Sequence, residues 1–255
     1  MKCVLKLTYP HRNASNCISE GDQRILAVSV IPSKDQSDCY YLFTGDSCGM
    51  MHIFCYNEST NMLSLITRYC LHSTPILSAQ FYQTETRVGI VAGVAAGDLI
   101  CIDLTEMLKK KEEKQEVVAS TVFSFKAIHI MGINDLKVIV EGEKLHCMSV
   151  GEDQSLQVTS LQWQEQEYKC LKRVNCGLIS GTSLRSVAVV KNHVFTTGWE
   201  QKVQEWVWKD ETLEKLGEMK IQVPETGSID CIADDQTVLC CVGGDMGFEV
   251  FESVL

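Results

Sequence analysis

No two of the 13 cysteines in this chain stand in a C-x-x-C pair. Zinc ribbons and fingers need ligands at that short spacing, so a structural metal is not expected. The cysteines are odd in number and scattered, and Cys240-Cys241 is the only adjacent pair. Such usage fits small core hydrophobes in a reducing compartment. Long apolar runs are missing too. The longest, VGIVAGVAAG, ends at Asp98, far short of the roughly 20 residues that a spanning helix requires. The opening MKCVLKLTYPHR is too interrupted for a signal segment. The expectation is a soluble, cytoplasmic chain with no membrane contact. The N-x-S sequons at Asn13 and Asn57 then read as chance matches.

Positive charge is scarce. Lys and Arg number 23 against 33 Asp and Glu, a net charge of −10. That field repels a phosphate backbone, so any nucleic-acid contact has to come from a local patch. The glycine loops G-x-G-x-x-G and G-x-x-x-x-G-K-[ST] are absent, as is H-E-x-x-H. No cofactor is expected, and no residue is assigned a catalytic role.

What the chain does have is a recurring hairpin. Five stretches read as strand, tight turn, strand, as in HVFTTGWEQKVQEW from His193 to Trp206. Aligned on the second strand, a central position falls at Phe54, Ile102, Thr159, Trp206 and Phe251, at intervals of 48, 57, 47 and 45. The long interval holds the charged insertion Glu106–Val117. Without it the period returns to about 45, near the ~40–45 residues of WD-type repeats. A glycine precedes each turn, at Gly45, Gly93, Gly151, Gly198 and Gly243, and is expected to supply the positive φ of a tight hairpin. Each hairpin follows another apolar run (ILAVSVIP, ILSAQFY, INDLKVIV, LRSVAVV, SIDCIA), and most precede a polar-alternating one. Four short strands per repeat predict an all-β fold, a WD-type β-propeller of about five units. It is expected to span residues 1–255 as one domain and to form an incomplete ring. Residues 3–9 are expected to be the last strand of a further unit and a candidate to complete the fifth.

The WD-type repeat pattern also places a histidine in the loop entering the first strand. His72 lies 30 residues before Ile102, and His129 lies 30 before Thr159. His129, Ser149 and Asp153 fill three of the four slots of the WD hydrogen-bonded tetrad, with Trp206 in the fourth slot of its own unit. Such a group satisfies its own polar atoms when buried, which favours a structural role over a His–Asp catalytic pair. The second unit keeps His72 but has Ala96 in the acid slot. The fourth has Glu200 there, and Cys176 where its histidine would stand.

The chain resembles the C-terminal portion of the WD repeat-containing protein 6 family. The stretches that carry the resemblance are VAGVAAGDLICIDLTEML, HIMGINDLKV with MSVGEDQSLQV, TSLRSVAVVKNHVFTTGWEQKVQEW, and VPETGSIDC with GGDMGFEVFE. It implies a non-catalytic auxiliary subunit of an FtsJ-like methyltransferase acting on the tRNA anticodon loop, with tRNA held through the complex. The departures are that only Trp206 keeps the tryptophan and that no full WD dipeptide survives. A generic protein-interaction propeller, such as a kinase or trafficking adaptor, is the alternative.

Two basic clusters bear on RNA contact. LKKKEEK in the insertion nearly cancels its own charge and reads as a solvated loop. YKCLKR is expected on an outer strand, with Lys169 and Arg173 on one face and Lys172 on the other. These three are the candidate partner or RNA contacts.

Overall fold

The structure, a computed structural model, describes residues 23–34, 36–112 and 121–254. The expected strand of residues 3–9 lies outside them, as does the end of the insertion. The described chain folds into five antiparallel meanders. The first sheet is β1 (Ile25–Pro32), β2 (Cys39–Asp46), β3 (Met50–Asn57) and β4 (Met62–Cys70). The second is β5 (Ile76–Gln83), β6 (Val88–Val94), β7 (Leu99–Asp103) and, after helix α1 (Thr105–Glu112), β8 (Thr121–Phe125). The third is β9 (Ile133–Glu141), β10 (Lys144–Gly151), β11 (Ser155–Gln164) and β12 (Glu167–Leu178). The fourth is β13 (Leu184–Val190), β14 (His193–Gly198), β15 (Lys202–Lys209) and β16 (Thr212–Lys220). The fifth has three strands, β17 (Ser228–Ala233), β18 (Thr237–Gly244) and β19 (Gly247–Val254). This all-β architecture of repeated four-stranded sheets is consistent with a β-propeller-like fold.

The core is divided into four joints, each between consecutive sheets. Side chains alternate faces along a strand, so a middle strand serves two joints. Leu145 and Cys147 of β10 pack towards the second sheet, against Val91 and Leu99. Met148 and Val150 of the same strand pack towards the fourth, against Leu184 and Trp206. This is why the middle strands read as near-continuous apolar runs. Among the described residues the first and fifth sheets face a neighbour on one side only, and no joint closes the ring between them. Val28 and Val30 on the first sheet, and Ile232, Phe248 and Val250 on the fifth, are exposed.

The first strands also carry polar ties from sheet to sheet. Phe81 N–H donates to Ser29 Oγ (2.9 Å), and Val138 N–H to Gln80 Oε1 (2.8 Å). Val187 N–H donates to Asp135 Oδ2 (3.0 Å), and Ile229 N–H to Ser186 Oγ (3.2 Å). Each joint thus has one side-chain acceptor on its earlier sheet that satisfies a backbone donor on the later one.

The turn glycines do not do what their spacing suggested. The positive φ values fall at the residue after the acid slot: Gly49 (74°), Gly97 (81°), Gln154 (66°) and Gln201 (54°). The earlier glycines end the second strands, where the next element approaches closely. A Cβ on Gly45 would lie 2.6 Å from Ile76 Cγ2, and one on Gly93 2.6 Å from Ile133 Cγ2. Both contacts are with the first strand of the following sheet. Glycine is needed there for room, not for backbone freedom.

The charged insertion also differs from the expected loop. It begins as α1, with Met107 and Leu108 buried beside Leu104 in the joint of the first two sheets. Those three positions follow the i, i+3, i+4 spacing of one helical face, which the run of charges obscures. Asp103 Oδ1 receives Thr105 N–H (3.1 Å) and Thr105 Oγ–H (2.6 Å), fixing the entry to the helix.

Gly93→Ala is expected to destabilise by about 1–3 kcal/mol, because the added methyl overpacks the joint. Gly217→Ala, whose Cβ meets nothing within 4 Å, is expected to be neutral or slightly stabilising, by up to ~1 kcal/mol. Denaturant midpoints of the two variants check this. Equal shifts would contradict the close-approach account.

Candidate functional site

His129 enters from the loop before β9, and Ser149 from β10. Asp153 comes from the β10–β11 turn and Ser155 from the start of β11. The structure brings all four together. His129 Nδ1 is 2.8 Å from Asp153 Oδ1, and Nε2 is 2.8 Å from Ser149 Oγ. A carboxylate only accepts, so Nδ1 carries the proton in this pair. Ser155 Oγ lies 3.1 Å from Nδ1 and donates to Asp153 Oδ1 at 2.8 Å. The other carboxylate oxygen receives Ile130 N–H at 2.9 Å. Burial alone would raise the Asp153 carboxyl. The hydrogen bonds from His129, Ile130 and Ser155 outweigh it and hold the group down at about 2.

In connectivity this is also a Ser–His–Asp nucleophilic triad. Burial separates the two readings. Ser149 is 1% and His129 2% exposed, and Ser149 sits mid-strand between Leu136 and Gln157. An acyl group has no approach to its Oγ. The arrangement instead pins the loop before β9 to the turn that ends β10.

The other units solve the same problem with different atoms. His72 Nδ1 is 2.9 Å from Thr74 Oγ1, and its Nε2 faces Asp98 Oδ2 at 3.5 Å. Asp98 stands two residues past Ala96, in the position that Ser155 takes in the third unit. It also receives Lys126 Nζ (2.6 Å) and Ala127 N–H (2.9 Å). Burial opposes ionisation there, but these donors bring its carboxyl below the ordinary value. Glu200 accepts Gly181 N–H at 2.6 Å and so still holds the loop before β13. Cys176 is not that unit's counterpart of His129, because it lies within β12. Ile179 is the counterpart: its N–H donates to Gln154 O (3.1 Å), as His129 N–H does to Gly97 O (3.0 Å). Trp206 is buried in the joint of the third and fourth sheets, with its indole N–H 3.4 Å from Thr196 Oγ1.

The basic candidates are arranged differently from the alternation rule. Lys169 pairs with Gln162, Cys170 with Leu161, Lys172 with Ser160 and Arg173 with Thr159. Leu171 is a bulge residue, and one extra residue exchanges the faces beyond it. Lys169 and Lys172 therefore share the face towards the fourth sheet, while Arg173 is exposed on the other. Lys169 is ion-paired with Glu165 and lies 3.8 Å from Glu167 Oε1. Lys172 lies 3.5 Å from Glu211.

Several participants escape a sequence reading. Ser155 and Asp98 each lie two residues past the acid slot, where the repeat pattern specifies nothing. Asp135, largely buried, has its carboxyl pushed up by that burial despite bonds from Ser186, Val187 and Leu136. Gly45-Asp46-Ser47-Cys48-Gly49 spells G-x-S-x-G, the nucleophile-elbow pattern. It forms a strand-to-strand turn, not the strand-to-helix turn of that motif, and Ser47 Oγ accepts Arg24 N–H at 3.0 Å.

Asp153→Ala strands the donors of His129, Ile130 and Ser155, and is expected to cost roughly 2–3 kcal/mol. Glu200→Ala frees one exposed backbone donor and is expected to cost under about 1 kcal/mol. Equal shifts in urea denaturation would refute the difference. Acid sensitivity follows from the same carboxyl. A folded value of about 2 against an ordinary 3.8 contributes stability that is full above pH ~4. About 2 kcal/mol of it is lost as pH falls from 4 towards 2. Asp135, shifted upward, acts in the opposite sense: its contribution is present below the ordinary carboxylate value and is lost as pH rises through its folded one. Stability of the wild type and Asp153→Asn between pH 5 and pH 2 checks the first effect. The variant's curve should be flatter.

No protein-family model matches the chain, and no curated protein matches it either.

Proposed function

We propose that this chain is a WD-type β-propeller scaffold without catalytic chemistry of its own, serving as the auxiliary subunit for anticodon-loop 2′-O-ribose methylation by an FtsJ-like tRNA methyltransferase. The observation that carries the scaffold reading is the use made of the Ser149–His129–Asp153 group. A constellation capable of acyl transfer is closed from solvent and committed to holding a loop against a turn. Glu200 is committed to the loop of its own unit in the same way, and Asp98 to the loops on either side of its sheet. Propellers built so present rigid loop surfaces on which partners dock.

The tRNA part of the reading rests on the resemblance of the ordered stretches from VAGVAAGDLICIDLTEML to GFEVFE. Charge favours tRNA being held through the complex. The net charge is −10, and Lys169 and Lys172 already lie beside carboxylates. Of the basic candidates, exposed Arg173 is left as the one best placed to meet a phosphate.

Reconstitution tests the proposal. The chain is expected to co-purify with the methyltransferase and to raise ribose methylation in the anticodon loop, read by nucleoside mass spectrometry. Alone, it is expected to bind tRNA weakly and to lose that binding at raised salt. Failure both to bind the enzyme and to raise methylation would sink the reading. Recovery of kinase or trafficking partners in its place would favour a general interaction propeller.

A further inference from the structure

The fifth sheet contains a cross-strand cysteine pair with no part in the network above. Strands β17 and β18 are joined by a tight hairpin in which Asp234 N–H donates to Thr237 O at 3.0 Å. Asp234 and Thr237 are therefore a hydrogen-bonded pair, and such pairs alternate along an antiparallel ladder. Counting back along the register, Ala233 and Val238 are non-hydrogen-bonded, Ile232 and Leu239 hydrogen-bonded, and Cys231 and Cys240 non-hydrogen-bonded. Partners of that last kind have Cα atoms about 4.5 Å apart and side chains close together on one face. The spacing falls at the short end of the roughly 4.4–6.8 Å that a disulfide bridges. The thiols already touch, with Sγ to Sγ at 2.8 Å. Cys240 is fully buried, and Cys231 is half-buried. Hydrogen bonding to Cys240, together with burial, pushes the Cys231 thiol up, so the reduced pair rests protonated.

We propose that Cys231 and Cys240 form a reversible dithiol–disulfide site whose co-reactant is a low-molecular-weight disulfide such as oxidised glutathione. Cys231, the more accessible thiol, loses its proton and attacks one glutathione sulfur. The S–S bond of glutathione breaks, and one glutathione thiolate leaves with the electron pair. Cys240 then loses its proton and attacks the Cys231 sulfur of the mixed disulfide, expelling the second glutathione thiolate. The two cysteine protons end on the two glutathione thiols. The protein has been oxidised by two electrons and the glutathione disulfide reduced by two.

The division of labour follows from burial. Cys240 cannot meet glutathione directly, but it lies in contact with the sulfur it must attack. Cys231 is only half-buried, so the product stays within reach of reduced glutathione, and accessible disulfides are among the readily reduced ones. The bond would join β17 to β18 within the joint that seals the fifth sheet onto the fourth, where Cys240 packs with Phe195 and Ile229. Oxidation is therefore expected to protect this hairpin from local opening.

The test uses the full chain, reduced and then equilibrated with glutathione at graded ratios of oxidised to reduced form. Acid quenching, alkylation and peptide mapping follow. The expected product is a Cys231–Cys240 cross-link that disappears when reduced glutathione is in excess. Its formation should slow hydrogen exchange at least several-fold across Ser228–Gly243. The variant C240S is expected to accumulate glutathione on Cys231, and C231S to leave Cys240 unmodified. The variant C241S is expected to cross-link as the wild type does. A wild-type chain that stops at the glutathione adduct, that links Cys231 to another cysteine, or in which both thiols remain alkylatable would overturn the proposal without recourse to any variant.

Discussion

The middle strands of the second, third and fourth sheets bury both faces, and this requirement organises the molecule. A strand such as β10 is apolar on both faces, so it cannot stand at a protein surface. It needs one sheet on either side, and the repeat supplies it. Burial at each joint provides the non-directional attraction. The side-chain acceptors of Ser29, Gln80, Asp135 and Ser186 provide direction, each meeting one backbone donor on the following sheet. A slip of one residue between sheets would leave those donors buried without partners.

The loop-to-turn contacts solve a second problem created by the same stacking. A connection between consecutive sheets has to run past the turn of the sheet it enters, close to backbone that has no ladder to complete. Each unit fills that space with a carboxylate or with the backbone itself. His129 with Asp153 is one solution and His72 with Asp98 another, while Glu200 bonds directly to Gly181. The donor–acceptor balance is maintained while the residues change. Buried polar groups need partners, whichever residue supplies them.

The period, the four-stranded unit and the meeting of His129, Ser149 and Asp153 could be read in the sequence. All depend on local spacing along strands and turns. What could not be read depended on registers set by packing. The Leu171 bulge exchanges the faces of Lys172 and Arg173, and no feature of YKCLKR marks it. The glycines of the second strands looked like turn residues because they stand beside turns, although their reason is Ile76 and Ile133 on the following sheets. Helix α1 was hidden because its apolar face is three residues wide and sits in a run of lysines and glutamates. Asp98 shows the limit of slot counting. A carboxylate displaced by two residues reaches the same imidazole from another angle.

The apolar core falls into four separate clusters, each made by two neighbouring sheets. Such a stack behaves as a one-dimensional array with nearest-neighbour coupling. A fault in one joint weakens the two sheets that meet there and reaches the others only by relay. Among the described residues the first and fifth sheets are coupled on one side each, so fraying is expected to start there, while the third sheet is held from both directions. The array thus has a gradient of local permanence along it. The buried histidine network lies at its most durable point, and the cysteine pair at one of its least.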